Sequence, residues 1–247
     1  MSTIVTAFIT NINNIEFRSY EKYIELGKIL LSQPIPTICF LEKYIYDEYF
    51  KHHESQYPQT LFRIFERADN YLYEYEPILE NFLIETDNPK KDTPGYMFIQ
   101  CHKTEWIKMA IDENPFHTSN FVWIDFGIFH MIRDELQFAV ALKKLVRKKY
   151  DSVRIASCID PNLPYHCHAE KNIKKNVLWF FAGSIFGGHK SSLLHFANRM
   201  KEFTIEFIQN NRHIMWEVNI WYLLHQKHKD IFLPYRADHN LSILSNY

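Results

Sequence analysis

Glycine is scarce in this chain, with six residues in 247. Neither the Rossmann fingerprint nor the Walker lysine spacing occurs, so the two commonest glycine-rich phosphate cradles are excluded. No Gly-x-Ser-x-Gly elbow points to a serine hydrolase. No apolar run is long enough to span a bilayer. The opening, Met1 to Thr10, lacks the basic region and long apolar stretch of a signal peptide and reads instead as a buried strand. An excess of one charge is also missing: 28 basic and 29 acidic residues leave a net charge of −1. That excludes a general positive field for nucleic acid or an anionic membrane. The basic group Lys143, Lys144, Arg147, Lys148 and Lys149 sits at the end of an expected helix, where cations suit the dipole. The four cysteines, Cys39, Cys101, Cys158 and Cys167, are scattered, and Cys39 and Cys158 lie in apolar runs. A reducing, cytoplasmic compartment is therefore expected. Repeats, low-complexity tracts and Pro/Gly/Ser linkers are absent.

What is present is core-forming material: 47% apolar and 16% aromatic residues. The chain alternates strand-like and helix-like pieces. Thr3–Ile9, Thr37–Leu41, Phe121–Ile124, Ser152–Ser157 and Val177–Phe181 read as strands. Ser19–Leu31, with Ser19 as cap, Gly95–Glu113, Asp134–Lys149, Ser191–Asn210 and Trp216–Lys227 read as helices. The aromatic-rich stretch Tyr44–Glu85 is assigned two helices, and Asp160–Asn176 is polar and irregular. This alternation predicts a single α/β domain over residues 1–247, with a mainly parallel sheet flanked by helices. Ligands of such sheets bind beyond the carboxyl ends of the strands.

Three stretches can carry chemistry. In Trp123-Ile124-Asp125-Phe126-Gly127 a buried strand delivers one carboxylate to its carboxyl end, where it can ligate a cation or simply cap a turn. In Phe181-Ala182-Gly183-Ser184-Ile185-Phe186-Gly187-Gly188-His189 half of the chain's glycines gather, read as a strand-to-helix turn that lets a ligand approach the backbone. In Met215-Trp216-Glu217-Val218-Asn219-Ile220-Trp221 two polar residues interrupt an apolar stretch, and a carboxylate among aromatics is either partnered or functional. His166-Cys167-His168 has metal-ligand residue types, but no second pair at zinc-finger spacing.

These segments resemble the bacterial HtrL/YibB family of glycosyltransferase-like proteins. The resemblance is carried by Thr3 to Phe8, Tyr20-Glu21-Lys22-Tyr23, Lys103 ahead of Asn114-Pro115-Phe116, Phe121 to Gly127, Ile185-Phe186-Gly187-Gly188 and Trp216 to Trp221. It implies a GT-A fold, a nucleotide-sugar donor (a UDP-sugar foremost) and a divalent cation, Mn2+ or Mg2+. The segments Ala182 to Gly188 and Trp216-Glu217 are also distantly similar to the blood-group and α-1,3-galactosyltransferase family. That similarity implies Glu217 as the catalytic carboxylate, with Gly187 and Gly188 along the sugar pocket, and leans toward retention. Donor binding is expected of Thr6, Ala7, Phe8, Lys103 and Asp125. Residues 1–127 would form the nucleotide-binding half, and residues 128–247 the donor-sugar and acceptor half. The second aspartate of the family's Asp-x-Asp is replaced by Gly127, so the cation would use Asp125 with Asp238 or His239. The acceptor would be a glycan, a lipid-linked group or a protein. A non-catalytic nucleotide-sugar-binding module is the alternative. A nucleotidyltransferase would need a glycine-rich, basic loop after the first strand, which Thr10-Asn11-Ile12-Asn13-Asn14 is not.

Overall fold

The computed structural model describes residues 1–10, 19–79, 86, 89–132, 134–160 and 173–247. Strand β1 (Thr3–Phe8) leads to helix α1 (Tyr20–Leu31), whose first turn is capped by the Ser19 hydroxyl. Then follow β2 (Thr37–Leu41), α2 (Lys43–Tyr49) and β3 (Thr60–Ile64). Helices α3 (Pro94–Cys101) and α4 (Lys103–Glu113) precede β4 (Asn120–Ile124), α5 (Glu135–Leu145) and β5 (Val153–Ser157). The chain ends with β6 (Phe181–His189), α6 (Lys190–Asn211), α7 (Glu217–Lys227), β7 (Phe232–Arg236) and the short α8 (Ser242–Ser245).

All seven strands join one sheet in the order β3-β2-β1-β4-β6-β5-β7. The expected α/β architecture is therefore present, and the sheet crosses the expected boundary at residue 127 through the β4–β6 pairing. Every neighbouring pair is parallel except those made by β6, which runs against β4 and β5. Its reversal places the amino end of β6 beside the carboxyl ends of β1 and β4. Alternate residues of β4 and β6 face opposite layers, as the pleat requires. Trp123 and Phe186 join an aromatic core with Trp106, Phe196 and Trp221, whereas Val122 and Ile185 join an aliphatic one with Leu142 and Leu145.

Four expectations are corrected. The stretch Tyr44–Glu85 holds α2, the edge strand β3 and 3-10 turns in its described part, not two helices. The expected helix Gly95–Glu113 is two helices, broken at His102. Strand Val177–Phe181 begins later, at Phe181, and β7 was not expected at all. As a result Gly187 and Gly188 lie inside β6, opposite Val122 and Phe121, and not in a turn before a helix. Their role is interstrand packing. A Cβ on Gly187 would stand 2.5 Å from the Phe121 carbonyl and the Tyr247 hydroxyl, and one on Gly188 would stand 2.5 Å from the Ser152 carbonyl.

This packing has two measurable consequences. Gly187→Ala should cost about 1–3 kcal/mol through overpacking. A thermal melt should read this as a fall of about 2–4 °C per kcal/mol for a chain of this size. His102 is buried against Phe65, Tyr71 and Trp106, and neither ring nitrogen has a hydrogen-bond partner among the described residues. Burial, aided by Lys201, lowers its pKa from 6.5 to about 3. The unfolded chain takes up this proton from pH 6.5 downward while the native chain refuses it until about pH 3. Stability is thus retained above 6.5 and lost as pH falls, by up to about 1.4 kcal/mol per unit. Urea titrations from pH 7 to 4 should show His102→Phe losing that part of the acid sensitivity.

Candidate functional site

A cavity of about 880 Å³ opens where the carboxyl ends of β1 and β4 meet the amino end of β6. Its floor is built around one ammonium. The break at His102 starts α4 at Lys103, whose side chain is 4% exposed. Its Nζ lies 2.9 Å from Glu217 Oε1, 3.1 Å from Asp125 Oδ1 and 3.1 Å from the Gly183 carbonyl. Three oxygens thus meet three N–H donors. Burial opposes the charge on Lys103, but Asp125 and Glu217 outweigh it and raise its pKa.

Each partner is placed by a different element. Asp125 follows β4 directly, and its Oδ1 also accepts from Trp123 Nε1 at 2.7 Å. Both contacts fall on Oδ1, and the side chain keeps 30% exposure toward the cavity. Glu217 opens α7, where the helix amino end favours negative charge. It fits because residue 183 is glycine: a Cβ there would stand 2.2 Å from Glu217 Oε1. On the β1 side, Phe8 stacks with Tyr23 at 5.8 Å and Phe126 at 5.0 Å, so its ring faces are engaged by the protein. Lys91 also lines the cavity, 3.5 Å from Asp92 and over the Tyr96 ring at 4.7 Å. Burial, then Glu217 and Asp125, pushes the Tyr96 phenol well up, so it remains protonated.

The structure brings together Lys103, Asp125 and Glu217, and it lines the same cavity with Ala7, Phe8 and His239. Thr6 does not line it; it is fully buried in β1, paired with Cys39. Gly187 and Gly188 do not line it either. Asp238 is exposed, with its backbone N–H donating to Ser242, and lies outside the cavity lining. Among the described residues no three His, Cys, Asp or Glu side chains gather to hold a metal ion. His166-Cys167-His168 lies outside the described residues. Gly127 has a steric cause: a Cβ there would stand 2.6 Å from the Tyr23 ring, which occupies the space a second aspartate needs. Sequence reasoning missed Lys91, Tyr96, Ser184 and Trp179, which also line the cavity. Only Gly183 carried a usable signal, as a small residue in an apolar strand.

The model of a bacterial protein family of unknown function, HtrL/YibB, matches residues 64–239. The chain belongs to the HtrL/YibB family. No curated protein matches it significantly. Among solved structures, mouse xyloside xylosyltransferase 1 is similar at 8% identity and a TM-score of 0.46, covering 95% of this chain and 84% of that one. A 4-diphosphocytidyl-2C-methyl-D-erythritol synthase from Anaerococcus prevotii is similar at 9% identity and TM-score 0.42, with coverages of 99% and 90%. A proposed nucleotide-diphospho-sugar transferase from Desulfovibrio desulfuricans is similar at 11% identity and TM-score 0.44, with coverages of 96% and 80%. In this HtrL/YibB protein the site is organised by the Lys103 bridge.

Removing the ammonium should expose how much rests on it. Lys103→Met leaves two carboxylates facing each other without a counter-charge and should cost about 3–5 kcal/mol, read by chemical denaturation. The contribution of Lys103 is fully present below its ordinary pKa of 10.5 and is lost as pH rises through its raised value. The gap between wild type and Lys103→Met should therefore hold from pH 7 to 10 and narrow only in stronger alkali. Equal stability of the two proteins at pH 8 would show that the bridge is not structural.

Proposed function

We propose that this protein is a glycosyltransferase of the GT-A type that moves a sugar from a nucleotide-sugar donor, a UDP-sugar foremost, to a hydroxyl acceptor. One observation carries the reading: Glu217, a buried carboxylate fixed by Lys103, fronts a cavity at the carboxyl ends of parallel strands. That edge is where ligands of such sheets bind.

The nucleoside would lie along Ala7, Phe8 and Tyr23. Lys103 has its three donors engaged within the protein, so it would act as a positioning residue and not as the donor-binding residue expected from the sequence. Among the described residues, Lys91 is the second lysine lining the cavity and would serve the diphosphate. The donor sugar would sit over Gly183, beside Ser184, whose buried hydroxyl has no partner among the described residues. In transfer, the bond from the anomeric carbon to the diphosphate oxygen breaks and a bond to the acceptor oxygen forms. A fixed carboxylate stabilises the positive charge that grows on the sugar between these events. With inversion, the acceptor's proton goes to Glu217; with retention, it goes to the leaving diphosphate. Product stereochemistry distinguishes the two.

A cation would draw first on the outward oxygen of Asp125; of the two partners expected for it, His239 lines the same cavity and Asp238 lies outside that lining. A divalent cation such as Mg2+ or Mn2+ would rest on Asp125 and on the diphosphate itself, since Mg2+ is commonly held by one or two carboxylates plus substrate phosphates. It would supply charge neutralisation of the leaving group.

The binding-module reading draws on the same geometry, because Glu217 also serves as partner to a buried ammonium. Glu217→Gln separates the two. As catalytic group, its loss should cut turnover about 100-fold or more. Nucleotide-sugar binding, read by thermal shift with manganese present, should stay nearly intact. Undiminished release of nucleoside diphosphate by the variant would assign Glu217 a structural role only.

A further inference from the structure

The cavity has a second wall that neither the fold nor the donor reading uses. It is the segment Ile173–Phe180, which enters β6. Asn219, fully buried on α7, holds this segment with three hydrogen bonds of 2.8 Å: its amide donates to the Ile173 and Asn176 carbonyls, and its Oδ1 accepts from the Leu178 N–H. Phe180 stacks on Tyr222 of the same helix with ring centroids 3.9 Å apart, and its carbonyl accepts from the Cys158 N–H at 3.1 Å. With Leu178 and Phe180 anchored on α7, Trp179 between them is directed away from that helix. It is 43% exposed, among the most exposed large apolar side chains described, and it lines the cavity. The His239 ring supports it edge-on at 4.5 Å. The neighbouring lining residues Asn176 and Val177 are uncharged.

An exposed indole held rigidly beside an amide and uncharged groups matches the chemistry of a pyranose. The apolar C–H face of the sugar packs on the ring, and its hydroxyls find amide partners. The two lysines of this segment, Lys174 and Lys175, lie outside the cavity lining, so among the described lining residues of the segment a phosphate at Trp179 would meet no ammonium. We propose that Trp179, with Asn176 beside it and His239 behind it, forms the acceptor subsite, and that the acceptor is a saccharide. This rests on the sugar-transfer reading. It gives Asn219 a reason to be buried two residues after Glu217: one turn of α7 fixes both the reacting carboxylate and the acceptor wall.

The test uses the full chain, fluorescently labelled, with UDP and manganese, on a printed array of neutral and charged oligosaccharides, phospholipids and peptides. Wild type should be retained on a subset of neutral saccharides, and Trp179→Ala should lose at least tenfold of that signal. Trp179 is exposed, so the variant should fold, which circular dichroism checks. Absence of saccharide retention, equal retention by Trp179→Ala, or retention on lipids or peptides instead would overturn the proposal. Thermal shifts with nucleotide sugars separate the two readings. Trp179→Ala should keep the wild-type shift; losing it would place Trp179 in the donor site and overturn the acceptor role. No shift in wild type would sink the transfer reading, while saccharide retention on Trp179 would still register.

Discussion

The site depends on one ammonium that is denied water. Taking a lysine head group this deep costs several kcal/mol, and only opposite charge and full hydrogen bonding offset that cost. Lys103 has both, in Asp125, Glu217 and the Gly183 carbonyl. The three partners come from β4, α7 and β6, so the bridge ties together the two strands on either side of the parallel-to-antiparallel switch. The surrounding features serve it. The chain breaks at His102 so that a helix can start at Lys103, residue 183 has no side chain so that Glu217 can approach, and Trp123 holds the shared oxygen of Asp125.

Around this centre the cavity divides by chemistry. The β1 side is aromatic, with Phe8, Tyr23 and Phe126 packed on one another. The absence of side chains at Gly27 and Gly127 lets those rings sit so close to the strand ends. The opposite side is strapped to α7 by Asn219 and Tyr222. A single helix thus carries the carboxylate in its first turn and braces a wall from the same turn, which fixes the distance between them without any long-range coupling.

Much of the frame was legible from pattern. β1, β2, β4 and β5 are short apolar runs bounded by polar or proline-containing segments, and buried parallel strands have that appearance. Asp125 stood out as a carboxylate at the end of a buried strand, and Glu217 as one within an apolar stretch. The edge strands β3 and β7 were not legible, because Thr60–Ile64 and Phe232–Arg236 are half-exposed and each mixes a basic residue with aromatics. The glycine pair at 187 and 188 misled, since close approach of a neighbouring strand and close approach of a ligand demand the same absence of a side chain.

The sequence by itself determined the α/β class, the strand that ends at Asp125 and the residues able to do chemistry, because these arise from local periodicity and from the cost of burying charge. Only the tertiary structure decided who meets whom. Lys103 and Glu217 are 114 positions apart, and their 2.9 Å contact exists because β6 reverses direction and brings α7 over the end of β4. The same packing removed Thr6, Gly187, Gly188 and Asp238 from the cavity and set Trp179 at its rim. Strand order and direction are properties of the whole sheet, and no local stretch of residues encodes them.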